Sequence, residues 1–464
     1  MIQRMVQEQA ENAHWERLLR LQCAWDAYEG NLPKPLKVEK GQPDDNILLA
    51  FGQVVVNKGV SFLFPEGISF EVDGQAKSDA DTWLQECWDA NGMMTTLLKV
   101  GINGGVCGDV FIRVKPRKPY PRIIVLDPSN VDVILDEDDC DTVLSYVLQW
   151  NVHGKDLVKR TTISRESDNA TFWTITDEES RDGGKFVQTN TEVWPYDWAP
   201  IFHCQNLPCP NSFWGYSDLE AAVIAINKAL NFNATNTARI LRFYAHPTTV
   251  FKGLSSPPQV PGARIGGGGG NSAAATGLDM SVGGIIKLAN PQADAFNLEM
   301  KSDLGSSLAD YDKLKSALHE ITRIPEVATG KVQDLGQLSG LALQILYQPL
   351  LEKTRDKRTL YGEMLEFLGR CLLQMNTAGA KHTVKTKWPP VLPSDRKGDV
   401  ETAVLEVGLG VSKDTALTKL GYNSEDEGKK KAKETQAAEE NARRMMKNFD
   451  AGRNGPLDNN APAQ

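Results

Sequence analysis

Apolar positions along the chain change their spacing three times, and each change predicts a different kind of element. Up to about residue 100 they recur at helical steps in short runs. "DADTWLQECWDANGMMTTLLKVGIN" places Trp83, Cys87 and Trp88 on one helical face, with Leu97 and Leu98 further on, which is a core-packing pattern. From about 106 to 205 the period falls to two. "GDVFIRVKP", "RIIVLDPSNVDVILDE", "TVLSYVLQWNVH", "TFWTITDEESRDGGKFVQ" and "APIFHC" alternate apolar and polar residues between Pro, Asn, Asp and Gly, and predict an antiparallel sheet. From 217 to 376 the helical period returns with two interruptions. Beyond 377 come a short strand-like segment, two capped helices and a loose tail. No internal repeat is found.

The helical part carries most of the information. "YSDLEAAVIAINKALNFNATNTARILRF" opens with Ser217 and Glu220 at capping-box spacing. Leu219, Val223, Ile226, Leu230, Ala234, Thr237 and Leu241 then form a narrow seam along a helix of ~37 Å. Its partner is "DLGSSLADYDKLKSALHEITRI", with Leu304, Leu308, Tyr311, Leu314, Leu318 and Ile321 at similar steps. Ala222, Ala225 and Ala229 leave room for a close neighbour, while Asn227, Asn231, Asn233 and Asn236 predict a wet assembly interface. The segment between, 244 to 303, contains "GLSSPPQVPGARIGGGGGNSAAATG", read as a flexible loop, and "GGIIKLANPQADAFNLEM", read as strand. Its five glycines lack the Lys-Ser or Lys-Thr of a phosphate loop.

A third helix, capped by Ser339, runs to about 376. Pro349 inside it predicts a kink over Ile345 to Pro349, and Leu360, Met364, Phe367, Cys371 and Met375 continue the apolar face. Before it stands "IPEVATGKVQDLGQLSG", residues 324 to 340. This stretch is too long for a turn, and loops beyond ~12 residues are functional or disordered.

Composition narrows the classes. A chain of 464 residues with 41% hydrophobic content has the length of about three domains and enough apolar surface for a packed core. A formal charge of -9 and a pI near 5.4 exclude a cationic nucleic-acid binder held by counterion release. Seven scattered cysteines predict reduced thiols and no disulfide framework. No window of 18 apolar residues occurs, so neither a membrane span nor secretion is indicated. His203, Cys204 and Cys209 lack CxxC spacing, and the acidic run 136 to 141, "DEDDCD", lacks the EF-hand glycine and glutamate and reads as a solvated hairpin turn. Neither GxSxG nor HExxH appears. No catalytic residue, metal or cofactor is therefore predicted. At the C-terminus Ser424 and Glu427 cap a surface helix ending in Arg443, Arg444 and Lys447; its lysine run 429 to 431 reads as a solvated face, and "DAGRNGPLDNNAPAQ" as disordered.

The order "PNSFWGYSDLEAAVIAINKALN", "AHPTTVFKG", "IPEVATGKVQDLGQLSGLALQILYQPLLEK", "WPPVLPSDRKGDVETAVLEVGLGVSKDTALTKLG" resembles the portal proteins of tailed bacteriophages, as do "NILLAFGQVVVNKGVSFLF" and "GDVFIRV" near the N-terminus. The resemblance covers roughly residues 45 to 445. It implies an α+β, portal-like fold: long helices, a mostly antiparallel β-rich wing region and a small α/β clip. Segment by segment it implies a wing over 1–216, stem helices over 217–243 and 304–323 around a clip at 244–303, a tunnel loop over 324–338, a kinked wing helix over 339–376, a crown over 377–448 and a disordered tail over 449–464.

Carried onto residues, Leu219, Val223, Ile226, Leu230, Leu241, Leu308, Tyr311 and Leu318 pack the stem, Pro349 kinks the wing helix, and Lys331, Val332, Gln333, Asp334, Leu335 and Gln337 face DNA. A loop lining such a channel must be wettable and bind no base sequence tightly. One Lys offset by one Asp suits that. The implied protein is not an enzyme. It is a homo-oligomeric ring, commonly of twelve subunits, through which double-stranded DNA is packaged and ejected at one capsid vertex. Its implied partners are the terminase motor, the major capsid and scaffolding proteins and a head-completion or tail adaptor, with no membrane; it is assembled in the bacterial host cytoplasm and resides in the virion. Two other readings stand beside it: a metal-dependent nuclease using residues 136 to 141, and a minor capsid or adaptor protein without a channel.

Overall fold

The computed structural model describes residues 2–38, 44–74, 78–165, 172–181, 183–245, 248–252, 294–298, 304–330, 340–376, 381–391, 396–422 and 424–453. They form two compact units, Met1–Pro389 and Pro390–Gln464.

The first unit opens with helices α1 (Ile2–Glu29), α2 (Phe51–Leu63), α3 (Asp79–Ala90) and α4 (Met93–Cys107), with strand β1 (Ser69–Val72) before α3. Helix α1 turns Arg17, Leu21, Ala24 and Ala27 inward at steps of four and three. Helix α3 is started by Ser78, whose Oγ accepts from the Asp81 N–H at 3.1 Å, and Asp79 and Asp81 in the first turn favour its positive end. It buries Leu84, Cys87 and Trp88, as the spacing predicts.

Helix α4 is pressed close to its neighbours through three glycines. A Cβ on Gly101 would lie 2.9 Å from Val60, one on Gly105 2.8 Å from Val56, and one on Gly104 would collide with the Tyr361 hydroxyl. Gly108 ends the helix at φ +87°, a left-handed conformation that a side chain resists, and leads directly into the first strand of the sheets.

Strands β2 (Asp109–Lys115), β3 (Arg122–Leu126) and, later, β9 (Ile201–Gln205) form one antiparallel sheet in the order β3-β2-β9. Its middle strand is buried from Asp109 through Val114 because both faces are covered. Strands β4 (Val131–Leu135), β5 (Val143–Asn151), β6 (Leu157–Ser164), β7 (Trp173–Arg181) and β8 (Val187–Trp194) form a second, a meander in chain order. The expected period-two region is thus an antiparallel sheet system. Strand β6, "LVKRTTIS", escapes an apolar alternation count: Thr161 and Ile163 are its buried residues, and the pairs Arg160–Glu178 (2.7 Å) and Lys159–Glu179 (2.9 Å) bind it to β7. The acidic run 136 to 141 turns β4 into β5. Asp136 N–H donates to the Thr142 carbonyl at 2.9 Å, and the Thr142 hydroxyl donates to Asp139 at 2.6 Å.

The rest of this unit is a helical hairpin and a long helix. Helix α5 (Ala221–Ala245), strands β10 (Thr248–Lys252) and β11 (Asp294–Leu298) and helix α6 (Leu304–Thr322) follow one another, with β10 and β11 antiparallel and Thr248 opposite Leu298. Helix α7 (Gly340–Asn376) runs through Pro349. Strand β12 (Val384–Lys387) then returns to pair with β1. Strand β12 therefore belongs to the first unit, and the second unit begins at Pro390.

The second unit holds three helices, α8 (Arg396–Gly408), α9 (Lys413–Lys419) and α10 (Ser424–Arg453). Ser412 caps α9 by accepting from the Thr415 N–H at 3.1 Å, and Ala403 and Ala416 are buried. Helix α10 continues to Arg453, into the segment expected to be disordered from 449; the strong stop, Gly455-Pro456, comes only later in the sequence.

Replacing Gly104 by Ala should destabilise the protein by about 1–3 kcal/mol, the usual cost of overpacking, although helix propensity alone favours Ala by ~1 kcal/mol. Urea unfolding of the two proteins measures the difference. An alanine variant as stable as the parent would contradict the α4–α7 contact.

Candidate functional site at the root of the helical hairpin

Helices α5 and α6 lie side by side, with Asn233 donating to Asp310 at 2.7 Å midway along them. Their roots meet α7 around one carboxylate. Asp218, just before α5, accepts from the Lys353 ammonium at 2.9 Å and from the Lys357 ammonium at 2.6 Å. Lys353 also donates to the carbonyl of Thr322, the last residue of α6, at 3.0 Å. Lys353, Lys357 and Tyr361 follow one another at steps of four on α7, so all three face inward together. Tyr361 donates to Asn206 Oδ1 at 3.0 Å, and Asn206 donates to the Tyr216 carbonyl at 3.2 Å. All of these side chains are buried.

Charge here is deliberately unequal, with two ammonium groups on one carboxylate. Burial alone would raise the Asp218 pKa, but Lys353 and Lys357 overcome it and hold the carboxyl at about 2. Burial pushes Lys357 down to about 8, against the attraction of Asp218 and with the repulsion of Lys353. Tyr361, fully enclosed, is raised well above a normal phenol, first by burial.

Local sequence explains why α5 begins late. Glu220 accepts from the Ser217 N–H at 2.9 Å, as a capping box requires, but the Ser217 hydroxyl caps the Leu219 N–H at 2.8 Å and donates to the carbonyl of Val106 at 2.7 Å. Ser217 is thereby tied to the end of α4, and the helix starts at Ala221 rather than at Ser217. The asparagines expected in a wet environment are partly dry. Asn231 accepts from the Leu49 N–H at 2.9 Å and Thr235 from the Ile47 N–H at 3.0 Å, while Asp45 takes a fork from Arg239. The extended segment before α2 thus straps α5 down. Asn227 and Asn231 are both 1% exposed.

The stretch after α6 is also more ordered at its start than its composition suggests. Ile324 and Ala328 are buried, Glu326–Thr329 is a single 3₁₀ turn, and Glu326 pairs with Lys315 at 3.2 Å. The His319 Nδ1–H donates to the Ile324 carbonyl at 2.7 Å. Residues 324–330 thus begin with a partly packed turn whose end, Thr329 and Gly330, is exposed. The expected channel residues Lys331, Val332, Gln333, Asp334, Leu335 and Gln337 lie outside the described residues.

Of the other residues singled out by sequence, Leu219, Val223, Leu230 and Leu318 are buried, Ile226 and Tyr311 are half-buried, and Leu241 and Leu308 are exposed at 52% and 56%. Pro349 is exposed. His203 is sandwiched between Phe111 and Phe213 with its Nε2 2.9 Å from Asp109, and Cys204 is buried. Asp139, Cys140 and Asp141 offer ligand atoms within 4.8 Å of one another, all exposed. The buried lysines were missed, although the sequence carries a signal: Lys353 and Lys357 interrupt the apolar face of α7 between Leu350 and Tyr361.

The buried Asp218, the two lysines and Tyr361 at this root hold secondary elements to one another. The phage portal protein family, SPP1 Gp6-like, matches residues 7–442, so the chain belongs to that family, a structural one. No curated protein matches it. Among solved structures it is similar to a chain from the neck of an empty gene transfer agent (GTA) particle computed with C6 symmetry, at 13% identity over 80% of this chain and 90% of that one, TM-score 0.50. A chain from the neck of a native GTA particle computed with C12 symmetry gives 13% identity over 80% and 89%, TM-score 0.46.

Asp218→Asn should destabilise by about 3–5 kcal/mol, because it leaves two buried cations without a counter-charge. Lys357→Met leaves a balanced pair and should cost much less; equal losses in urea unfolding would refute this. Both pKa values are depressed on folding, so each contributes stability that grows as pH rises through its window. Stability should fall as pH drops from the ordinary carboxyl value of 3.8 towards 2 through Asp218, and should rise between pH 8 and 10.5 through Lys357. A Lys357→Met protein lacking the alkaline rise is the control.

Proposed function

We propose that copies of this chain close into a ring around a channel at one capsid vertex, through which double-stranded DNA is packaged and later released. The observation that carries the reading is the family match over 7–442. Exposed apolar residues along the hairpin and the start of α7 support it. Phe232 (49%), Leu241 (52%), Leu308 (56%) and Ile345 (65%) are surface that a neighbouring copy would cover. The C6 symmetry of the GTA neck supports a closed ring, and twelve copies accord with it.

In this reading α5 and α6 are the stem, the β10–β11 pair belongs to the clip, the sheets and α1–α4 form the wing with α7, and the second unit is the crown. Residues 324–338 are the tunnel loop, which begins at the Glu326–Thr329 turn. Lys331 attracts phosphate weakly and Asp334 offsets it, so DNA slides without being held. The net charge of -9 per copy likewise suits a conduit better than a clamp. The chain performs no catalysis. ATP hydrolysis belongs to a terminase docked on the ring, capsid and scaffolding proteins surround it, and a head-completion or tail adaptor meets the clip. It assembles in the host cytoplasm and remains in the virion.

Negative-stain images of the purified protein should show rings with a central hole; single compact copies under every assembly condition, or solid particles, would refute the ring. Deleting 331–337, which spares the buried Ala328, should leave rings intact and impair DNA packaging or retention. Unchanged packaging would remove the channel role from this segment.

A further inference from the structure

Between the two sheets of the first unit lies a cavity of about 290 Å³, far from the Asp218 cluster in sequence and built by different elements: β2, β3, the turn before β4, and β5. Its inner wall carries Arg113, which is only 8% exposed and points from the middle strand β2, opposite Ile124 on one side and Ile201 on the other. A buried guanidinium is normally saturated with hydrogen bonds, because desolvating it otherwise costs several kcal/mol. Here Nε is buried without any acceptor. Asp177 and Glu192 attract Arg113 through space, yet neither forms an ion pair with it, and Asp177 already accepts from the Thr161 hydroxyl at 2.6 Å. Burial outweighs that attraction and lowers the Arg113 pKa.

Three further donors line the same space. Lys115 stands two residues along the strand on the same face and is exposed; burial and the like charge of Arg113 both lower its pKa. The Asn130 amide and the Trp150 indole complete the set. None of these three side chains has a hydrogen-bond partner among the described residues. Asp127, the one carboxylate among the described residues of the lining, is exposed, and its Oδ1 accepts from the Ser129 N–H at 2.9 Å and the Ser129 hydroxyl at 2.7 Å. Four donor-bearing side chains, two of them cationic, thus line one cavity that has a single carboxylate, Asp127, among the described residues of its lining.

We propose that this cavity is a binding site for a phosphate-type oxyanion, held by Arg113 from within and Lys115 at the mouth, with Asn130 and Trp150 as neutral donors. Donors from several directions suit a tetrahedral ion, which offers an acceptor oxygen to each, better than a planar carboxylate, which offers two. The apolar wall beside it, Leu126 and Leu148, would take the carbon group of a phosphate monoester.

Isothermal titration calorimetry of the full chain with inorganic phosphate, at ionic strength held constant with sodium chloride, tests it. One saturable site per chain is expected. Arg113→Met should abolish it, and Lys115→Gln, at an exposed position where folding is not at stake, should weaken it about tenfold, the usual worth of a charge-assisted hydrogen bond. Sodium acetate at the same concentrations should bind more weakly than phosphate. Absence of saturable binding, equal affinity in the parent and Lys115→Gln, or binding of acetate without phosphate would each overturn the assignment.

Discussion

One buried carboxylate holds the two ends of the helical hairpin against the long helix. Asp218 precedes α5, Lys353 reaches both Asp218 and the last carbonyl of α6, and Lys357 closes the other side. The cluster also sets the distance of the helices behind it. A Cβ on Gly105 would come within 3.1 Å of the Asp218 carboxylate and 2.8 Å of Val56, so α4 lies this close to the ions because that position is glycine, whereas one on Gly59 of α2 would make ordinary contact at 3.6 Å. A buried ion group of this kind is poor evidence for stability, since well-packed apolar residues serve as well or better. What it supplies is geometry: directional bonds permit one arrangement of three helices where apolar contact would permit several.

The consequences run outward from that root. With Ser217 tied to the end of α4 and residues 44–50 strapped along α5, the first part of the hairpin is fixed to the body of the unit on two sides. The strap continues along α5 to Arg239 and Arg242, which both pair with Asp45 at 2.8 Å, while Asn233 to Asp310 joins α5 to α6, and Leu241 and Leu308 are exposed. The gradient from buried root to exposed arm is what a subunit needs if its base is rigid and its arm is completed by neighbours. The Glu326–Thr329 turn, with Ala328 buried, extends the packed part past the end of α6.

Much of this was legible in the chain. The seams Leu219–Leu230 and the approach to Leu318 are apolar at helical steps because their burial is one-sided, and the sheet region shows its period because most of its strands have one wet face. Strand β6 was not visible, since its bonds to β7 are made by Lys, Arg, Thr, Asp and Glu, residues that a hydropathy pattern counts as surface. The Glu326–Thr329 turn was hidden for the opposite reason: Pro325 and Gly330 read as loop punctuation, whereas here they bracket a turn that buries Ala328. Asn227 and Asn231 look solvated by type and are buried, Asn231 beneath a segment almost two hundred residues earlier.

The sequence by itself determined most of which stretches are helix and which are sheet, β6 excepted, because these depend on side-chain order over one or two turns. It also carried the family, through segments in a recognisable order. Only the tertiary structure decided which polar residues are internal. Whether a lysine ends in water or on Asp218, and whether an arginine faces solvent or lies buried on the wall of a cavity, depends on atoms brought together from remote parts of the chain, and no local pattern records that meeting.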